Sequence, residues 1–447
     1  MKLKKELNGG ISLNWQELYQ SKLCSATEAV KQIKNGDTVV FAHCVGEPPA
    51  LVEAMIENAE QYKDVEIKHM VSLGSGGYTS KGMEAHFRVN PMFVSGNVRK
   101  AIENGDGDFT PAFFHEVPKL IREKRLKCDV VLAQATPPDE HGYCSLGTSV
   151  DYTYEAIKTA RTVIVQVNDQ FPRTYGEVVH VSEFDYIVEK SQPLYELQPA
   201  KIGEVEEAIG KNCASLIEDG STLQLGIGGI PDAVMLFLTD KKDLGIHSEM
   251  ISDGTLALYE KGVINGKYKN FDKEKMTVTF LMGTKKLYDF AHNNPAVEVK
   301  PVDYVNHPAV IMKQHKMVSI NSAIQVDLMG QVVAEAMGLR QFSGVGGQVD
   351  FIRGVSMGED GKAIIAMPSI TTKKDGTVIS KIVSIVDEGA PITTSRNDVD
   401  YIVTEYGIAE LKGKSLRERA RNLINIAHPS VRESLALEFE KRFNEKY

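Results

Sequence analysis

The sequence predicts an α/β protein built of two similar open α/β domains. Apolar runs alternate with amphipathic helical stretches, the pattern of parallel, doubly wound sheets. The chain's 447 residues exceed one ordinary core, so two domains of about 200 residues each are the natural division. The opening theme also returns. EAVKQIKNGDTVVFAHCVGEPPALVEAM (Glu28 to Met55) and EEAIGKNCASLIEDGSTLQLGIGGIPDAVMLFL (Glu206 to Leu238) share one order: helix, glycine turn, strand, small-residue loop, proline, helix. Gly36 matches Gly220 and Thr38 matches Thr222. This is an internal duplication with a period far longer than that of solenoid repeats. A ligand site between two such halves is the usual arrangement.

Taken in order, Leu18 to Ile33 reads as an amphipathic helix and Asn35 to Asp37 as a turn. TVVFAHCV is a β-rich run leading through GEPP into a helix. VEIKHMVSL (Val65 to Leu73), CDVVLAQATPP (Cys128 to Pro138) and TVIVQVND read as strands, and YEAIKTA as a helix. The pattern breaks at SQPLYELQP (Ser191 to Pro199), which sets the division at 1–195 and 196–447. The second half adds strands MTVTFLMG, VEVKPVDYV, MVSINSAIQV and KAIIAMPSI, then DVDYIVTEYGIAEL. The tail from Ser415 is helical with a break at Pro429.

Composition narrows the function. A net charge of −9 argues against nucleic-acid binding, which wants a basic face. No apolar run approaches the roughly 20 residues needed to span a bilayer. MKLKKELNGGISLNW starts basic but has no apolar core, which argues against a signal peptide. The five cysteines include no CxxC pair and read as reduced thiols of a cytoplasmic protein.

The chemistry gathers around GIHSEMISDG (Gly245 to Gly254) and two glycine-rich loops. In LGIGGIPDA a strand runs into Gly226, Ile227, Gly228, Gly229 and Ile230, and Pro231 opens a helix. Glycines let the backbone approach a ligand, and a helix N-terminus offers N–H groups to an anion. The loop is neither GxGxxG nor a P-loop, so it reads equally as a tight strand–helix turn and as an anion site. SGVGGQVDF repeats the theme with Gly344, Gly346 and Gly347. Glu249, among small and apolar neighbours, is the candidate nucleophile; a carboxylate in a dry place needs partners. His247-x-Glu249 lacks the PCxxC of zinc deaminases, and no other cluster has metal spacing. There is no GxSxG elbow. His43 and Glu47 occupy the loop of the first half that corresponds to LGIGGIPDA. Asn321 follows a strand, where its amide is placed either to cap a turn or to bind a carbonyl. His141 and Lys285 are weaker candidates.

Together FAHCVGEPP, FFHEVP, PPDEHGYCSLG, GIGGIPDAV, GIHSEMISDG, FLMGTKKLYDF, SGVGGQVDF and VTEYGIAELKGKS cover almost the whole chain. In that order they resemble the acetyl-CoA hydrolase/transferase family of acyl-CoA:carboxylate CoA-transferases, and within it most the 4-hydroxybutyrate branch. The resemblance implies the CoA-transferase fold with its active site between the two domains. It implies Glu249 as nucleophile, forming a glutamyl-CoA thioester, and coenzyme A as co-substrate with no tightly bound cofactor and no metal. It places CoA-binding backbone at Gly226, Ile227, Gly228, Gly229 and Ile230, and oxyanion-binding amides near Ile227 and at Gly346 and Gly347. Further CoA contacts fall on Ile324 and on Lys374 of TTKKDG, and substrate contacts on His43, Glu47, Asn321 and Gln348. The implied partners are acyl-CoA and short-chain carboxylates, without nucleic acid or membrane, in a homodimer or higher homo-oligomer. Relatives read Glu-Asn-Gly where this chain reads Glu249-Met250-Ile251, so what orients the carboxylate stays open.

Overall fold

The structure, a computed structural model, describes residues 14–447. Residues 1–13, on which the argument against a signal peptide rests, lie outside the described residues. Two compact units divide the chain. The first holds the chain up to Thr110, with Glu116–Glu196 and Thr279–Asp303. The second holds Pro111–His115, Leu197–Val278 and Tyr304–Tyr447.

In the first unit six strands form a parallel sheet: β1 (Thr38–Phe41), β2 (Val65–Lys68), β3 (Phe87–Val89), β4 (Val130–Ala135), β5 (Thr162–Val167) and β6 (Tyr186–Glu189). Their spatial order is β3-β2-β1-β4-β5-β6. β1 and β4 are buried throughout, as near-continuous apolar runs of a parallel sheet should be. Val39, Phe41, Ile67, Leu132 and Ile164 share one core with Leu51 and Met55 of the helix Pro49–Glu57.

The second unit repeats the arrangement. Its strands are β7 (Thr222–Leu225), β8 (Gly245–His247), β9 (Met276–Val278), β10 (Met317–Asn321), β11 (Lys362–Ala366) and β12 (Tyr401–Thr404). They run β9-β8-β7-β10-β11-β12, all parallel, and β13 (Gly407–Glu410) adds an antiparallel edge beside β12. Numbered within each half, both sheets have the order 3-2-1-4-5-6 of doubly wound folds, in which ligands bind beyond the carboxyl ends of the two central strands.

The sequence repeat therefore has a backbone counterpart. Gly36 and Gly220 turn into their strands at φ 75° and 77°, a left-handed conformation that favours glycine. Thr38 and Thr222 are the first residues of β1 and β7.

Some elements differ from the sequence reading. Leu18–Ile33 is not one helix but two, Trp15–Lys22 and Ala26–Val30. Leu23 turns extended to bridge Ile187, and the Ser25 side chain caps the second helix by accepting from the Glu28 N–H. VEVKPVDYV is a strand only over Val297–Val299; past Pro301 it becomes the short helix Val302–Val305. Among the described residues no helix is long and apolar enough to cross a membrane.

Candidate active site

β7 ends at Leu225 and delivers the glycine loop to the carboxyl edge of the second sheet. Gly228, at φ 110°, is the N-cap of the helix Gly229–Leu236, and Pro231 lies in its first turn. Nothing stands within 4 Å of where a Cβ would sit on Gly226 or Gly228, so the main chain there faces open space. Gly226, Ile227, Gly229, Ile230 and Asn321 line one cavity of about 360 Å³ together with Glu206 and Pro231. Asn321 enters from the end of β10, its amide held at 3.1 Å by the side-chain oxygen of Gln224. The cavity thus lies where the strand order reverses, between β7 and β10.

Glu249 follows β8, the neighbour of β7. Ser248 fixes the geometry: its Oγ accepts from the Leu225 N–H at 3.3 Å and donates to the Leu225 carbonyl at 3.2 Å. The glutamate is tied in this way to the residue that opens the glycine loop. Its side chain is only partly exposed. Asn306 Nδ2 donates to Glu249 Oε2 at 2.9 Å. Gly347 approaches so closely that a Cβ there would overlap both Glu249 Oε2 and Asn306 Nδ2. This is a position where only glycine lets the backbone reach the carboxylate.

Asn306 was missed in the sequence, and it supplies the orientation that Met250 and Ile251 leave open. It is fully buried at the end of the helix Val302–Val305. Its anchor is His247, whose Nε2 donates to the Val305 carbonyl at 2.8 Å while Gln314 approaches the other ring nitrogen at 3.5 Å. His247 therefore holds β8 to the segment that carries Asn306. A pair unrecognised in the sequence adjoins the second glycine loop: His115 Nδ1 donates to Asp350 Oδ1 at 2.7 Å, and the His115 N–H donates to Oδ2 at 3.1 Å. The one signal for it was the block FFHEVP, which carried no assigned role.

Gln348, Ile324 and Lys374 are not among the residues that line the cavity. Gln348 begins the helix Gln348–Met357 and points its amide at Thr394 Oγ1, 3.3 Å away. The Ile324 N–H is spent on the Val333 carbonyl at 2.8 Å. Lys374 sits exposed in the turn between the antiparallel strands Ile370–Thr372 and Val378–Ser380.

In the first unit His43 and Glu47 follow β1, at that sheet's own reversal point between β1 and β4. Both are buried. His43 Nδ1 lies 3.2 Å from Asp151 Oδ2. Burial pushes the Glu47 carboxyl up to about 7, against the opposing pull of donors at Ser72, Leu73 and Gly74.

Comparison with known proteins adds findings of three kinds. The acetyl-CoA hydrolase/transferase N-terminal domain matches residues 7–195 and the C-terminal domain of the same family matches residues 283–439. The chain is 60% identical over 432 residues to a 4-hydroxybutyrate coenzyme A transferase of Clostridium kluyveri, covering 96% of this chain and 100% of that one. It is 45% identical to a succinyl-CoA:cyclohexane-1-carboxylate CoA transferase of Geobacter metallireducens, covering 96% and 98%. Its fold matches the crystal structure of a 4-hydroxybutyrate CoA-transferase from Porphyromonas gingivalis with a TM-score of 0.83 at 44% identity, covering 96% and 100%.

Proposed function

Because the chain belongs to the acetyl-CoA hydrolase/transferase family, we propose that it is an acyl-CoA:carboxylate CoA-transferase working through Glu249. It moves coenzyme A between short-chain acids, 4-hydroxybutyrate first and butyrate next, with acetate as the exchanging acid. The observation that carries the reading is the Glu249 carboxylate held by Asn306 at 2.9 Å and met by the backbone of Gly347. The bond from Ser248 to Leu225 then sets that carboxylate beside the glycine loop that lines the cavity.

The chemistry follows from a fixed, partly dry carboxylate. Glu249 attacks the thioester carbonyl of the acyl-CoA. The C–S bond breaks, giving an acyl–glutamyl anhydride and the CoA thiolate. The thiolate attacks the glutamyl carbonyl, forms the Glu249–CoA thioester and releases the first acid as carboxylate. The incoming acid reverses both steps. Dividing the exchange this way conserves the thioester bond energy. Each addition builds a tetrahedral oxyanion, and one backbone donor to such a centre is typically worth about 3 kcal/mol. The amides of the Ile227 and Gly346–Gly347 loops are the donors in this proposal. The open backbone at Gly226 and Gly228 gives CoA a place to lie, with Ile324 and Lys374 as its outer contacts. Asn321 and Gln348 serve the acyl group in the second unit, and His43 and Glu47 in the first. The enzyme is cytoplasmic and a homo-oligomer in this reading, with coenzyme A as co-substrate only.

The test is trapping. Wild-type enzyme incubated with butyryl-CoA should lose activity to hydroxylamine or borohydride, and Glu249→Gln should neither exchange nor be labelled. Equal inactivation without acyl-CoA sinks the covalent scheme. Release of free CoA without any added acid would instead identify a hydrolase on the same scaffold.

A further inference from the structure

We propose that His115 is a positioning residue for the Glu249 carboxylate, acting through the glycine loop on one side and through Asn306 on the other. The proposal rests on the reading of Glu249 as nucleophile. Pro111–His115 belongs to the second unit although the residues flanking it in sequence belong to the first. Three contacts of this short strap meet the elements around Glu249. The Phe114 N–H donates to the Gly346 carbonyl at 3.3 Å. His115 donates twice to Asp350, which is 1% exposed in the first turn of the helix Gln348–Met357. The His115 ring packs edge-on against His307, centroids 5.2 Å apart.

Each contact bears on a group that holds Glu249. In a trans peptide the carbonyl and the following N–H point to opposite sides. Engaging the Gly346 oxygen with Phe114 therefore fixes the peptide that leads into Gly347, with its N–H on the side away from the strap. A carbonyl rotated toward the glutamate would repel the oxyanion that forms there. Gly346 has φ 53°, a left-handed conformation that favours glycine. Asp350, three residues beyond Gly347, anchors the other end of the same turn. His307 follows Asn306 directly, so the His115 ring also backs the residue that donates to Glu249. A misplacement of about 1 Å at a reacting group can cost roughly 100-fold in rate, so a strap bracing both arms of the carboxylate's seat is placed to govern turnover without touching substrate.

The experiment compares full-length H115A, H115F and H115N with wild type in butyryl-CoA:acetate exchange. Active sites are counted by acyl-CoA-dependent hydroxylamine labelling. H115A should lower kcat per labelled site by roughly 100-fold, with KM for butyryl-CoA changed less than about threefold. H115F, which keeps a ring but has no donor, should behave like H115A. H115N, whose amide can donate to Asp350, should recover most of the rate. Should H115A not fold, D350N reads the same bond with little change of shape and should likewise lower kcat. An unchanged kcat per labelled site in H115A and H115F overturns the proposal, as does an H115N no better than H115F. Absence of label in wild type overturns the reading of Glu249 itself, a different failure.

Discussion

Removing the Asn306 amide is the sharpest probe of the carboxylate's seat. The bond from Nδ2 to Glu249 Oε2 is 2.9 Å, and the donor is fully buried. A hydrogen bond to a charged group is worth about 1.5–3 kcal/mol. At about 1.4 kcal/mol per tenfold, Asn306→Ala should lower kcat roughly 10- to 150-fold. The fold should suffer little. Asn306 Oδ1 is buried and has no hydrogen-bond partner, so the variant also discards an unsatisfied acceptor, which offsets part of the lost packing. Initial rates of acyl-CoA:acetate exchange, read beside the melting temperature, separate the two effects. Asn306→Asp goes further, because it sets a second carboxyl against Glu249. Two like charges at that spacing force one pKa upward. Below the raised pKa the pair keeps one proton, the new group can still donate, and some activity survives. As pH rises through that pKa the pair becomes doubly charged and activity should fall, opposite to a simple requirement for ionised Glu249. A kcat for Asn306→Ala within twofold of wild type, at any pH between 6 and 8, refutes the argument that this amide seats the nucleophile.

Gly347→Ala should abolish labelling of Glu249, since the new methyl would overlap Oε2 and Asn306 Nδ2; a labelled variant would show that the backbone can retreat at no cost. Gly36→Ala and Gly220→Ala should each destabilise by about 1–2 kcal/mol through the left-handed backbone alone. No atom stands within 4 Å of the Gly36 Cβ position, and the three atoms nearest the Gly220 position all belong to the Tyr268 side chain, from 3.3 Å, so urea unfolding should show similar losses at both once that ring gives way. Glu47 carries a pH signature. Its pKa is raised by burial from 4.5 to about 7, so the folded chain holds a proton that the unfolded chain has already released. That stabilisation is complete below pH 4.5 and is lost as pH rises through about 7. Glu47→Gln should therefore gain on wild type with rising pH, by about 3 kcal/mol at pH 8 as an order of magnitude, visible as a flatter pH dependence of melting; parallel profiles would refute it.

Much of this was legible in the sequence because the informative signals were local. Gly36 and Gly220, each two residues ahead of a strand-opening threonine, marked the repeat, and the sheets carry it through to the same strand order. Gly226, Gly228 and Gly229 announced a loop whose main chain faces open space at Gly226 and Gly228. The failures have physical causes. Ser25 caps a second helix where the apolar period of Leu18 to Ile33 runs on unbroken, and a cap weighs less in a periodicity than the apolar residues around it. Asn306 stayed hidden because its closeness to Glu249 is made by the His247–Val305 bond, a contact that no local pattern records. Asn321, read as either a cap or a ligand contact, lies among the residues that line the cavity.

The doubled strand order has one more consequence. Each sheet offers a crevice where its winding reverses, yet the two copies have been finished in opposite ways. In the first, the side chains that follow the strand, His43 and Glu47, are buried. In the second, Gly226 and Gly228 present main chain to open space. Side chains introduced at Gly226 or Gly228 would occupy that space and, on the proposed reading, deny it to the thioester.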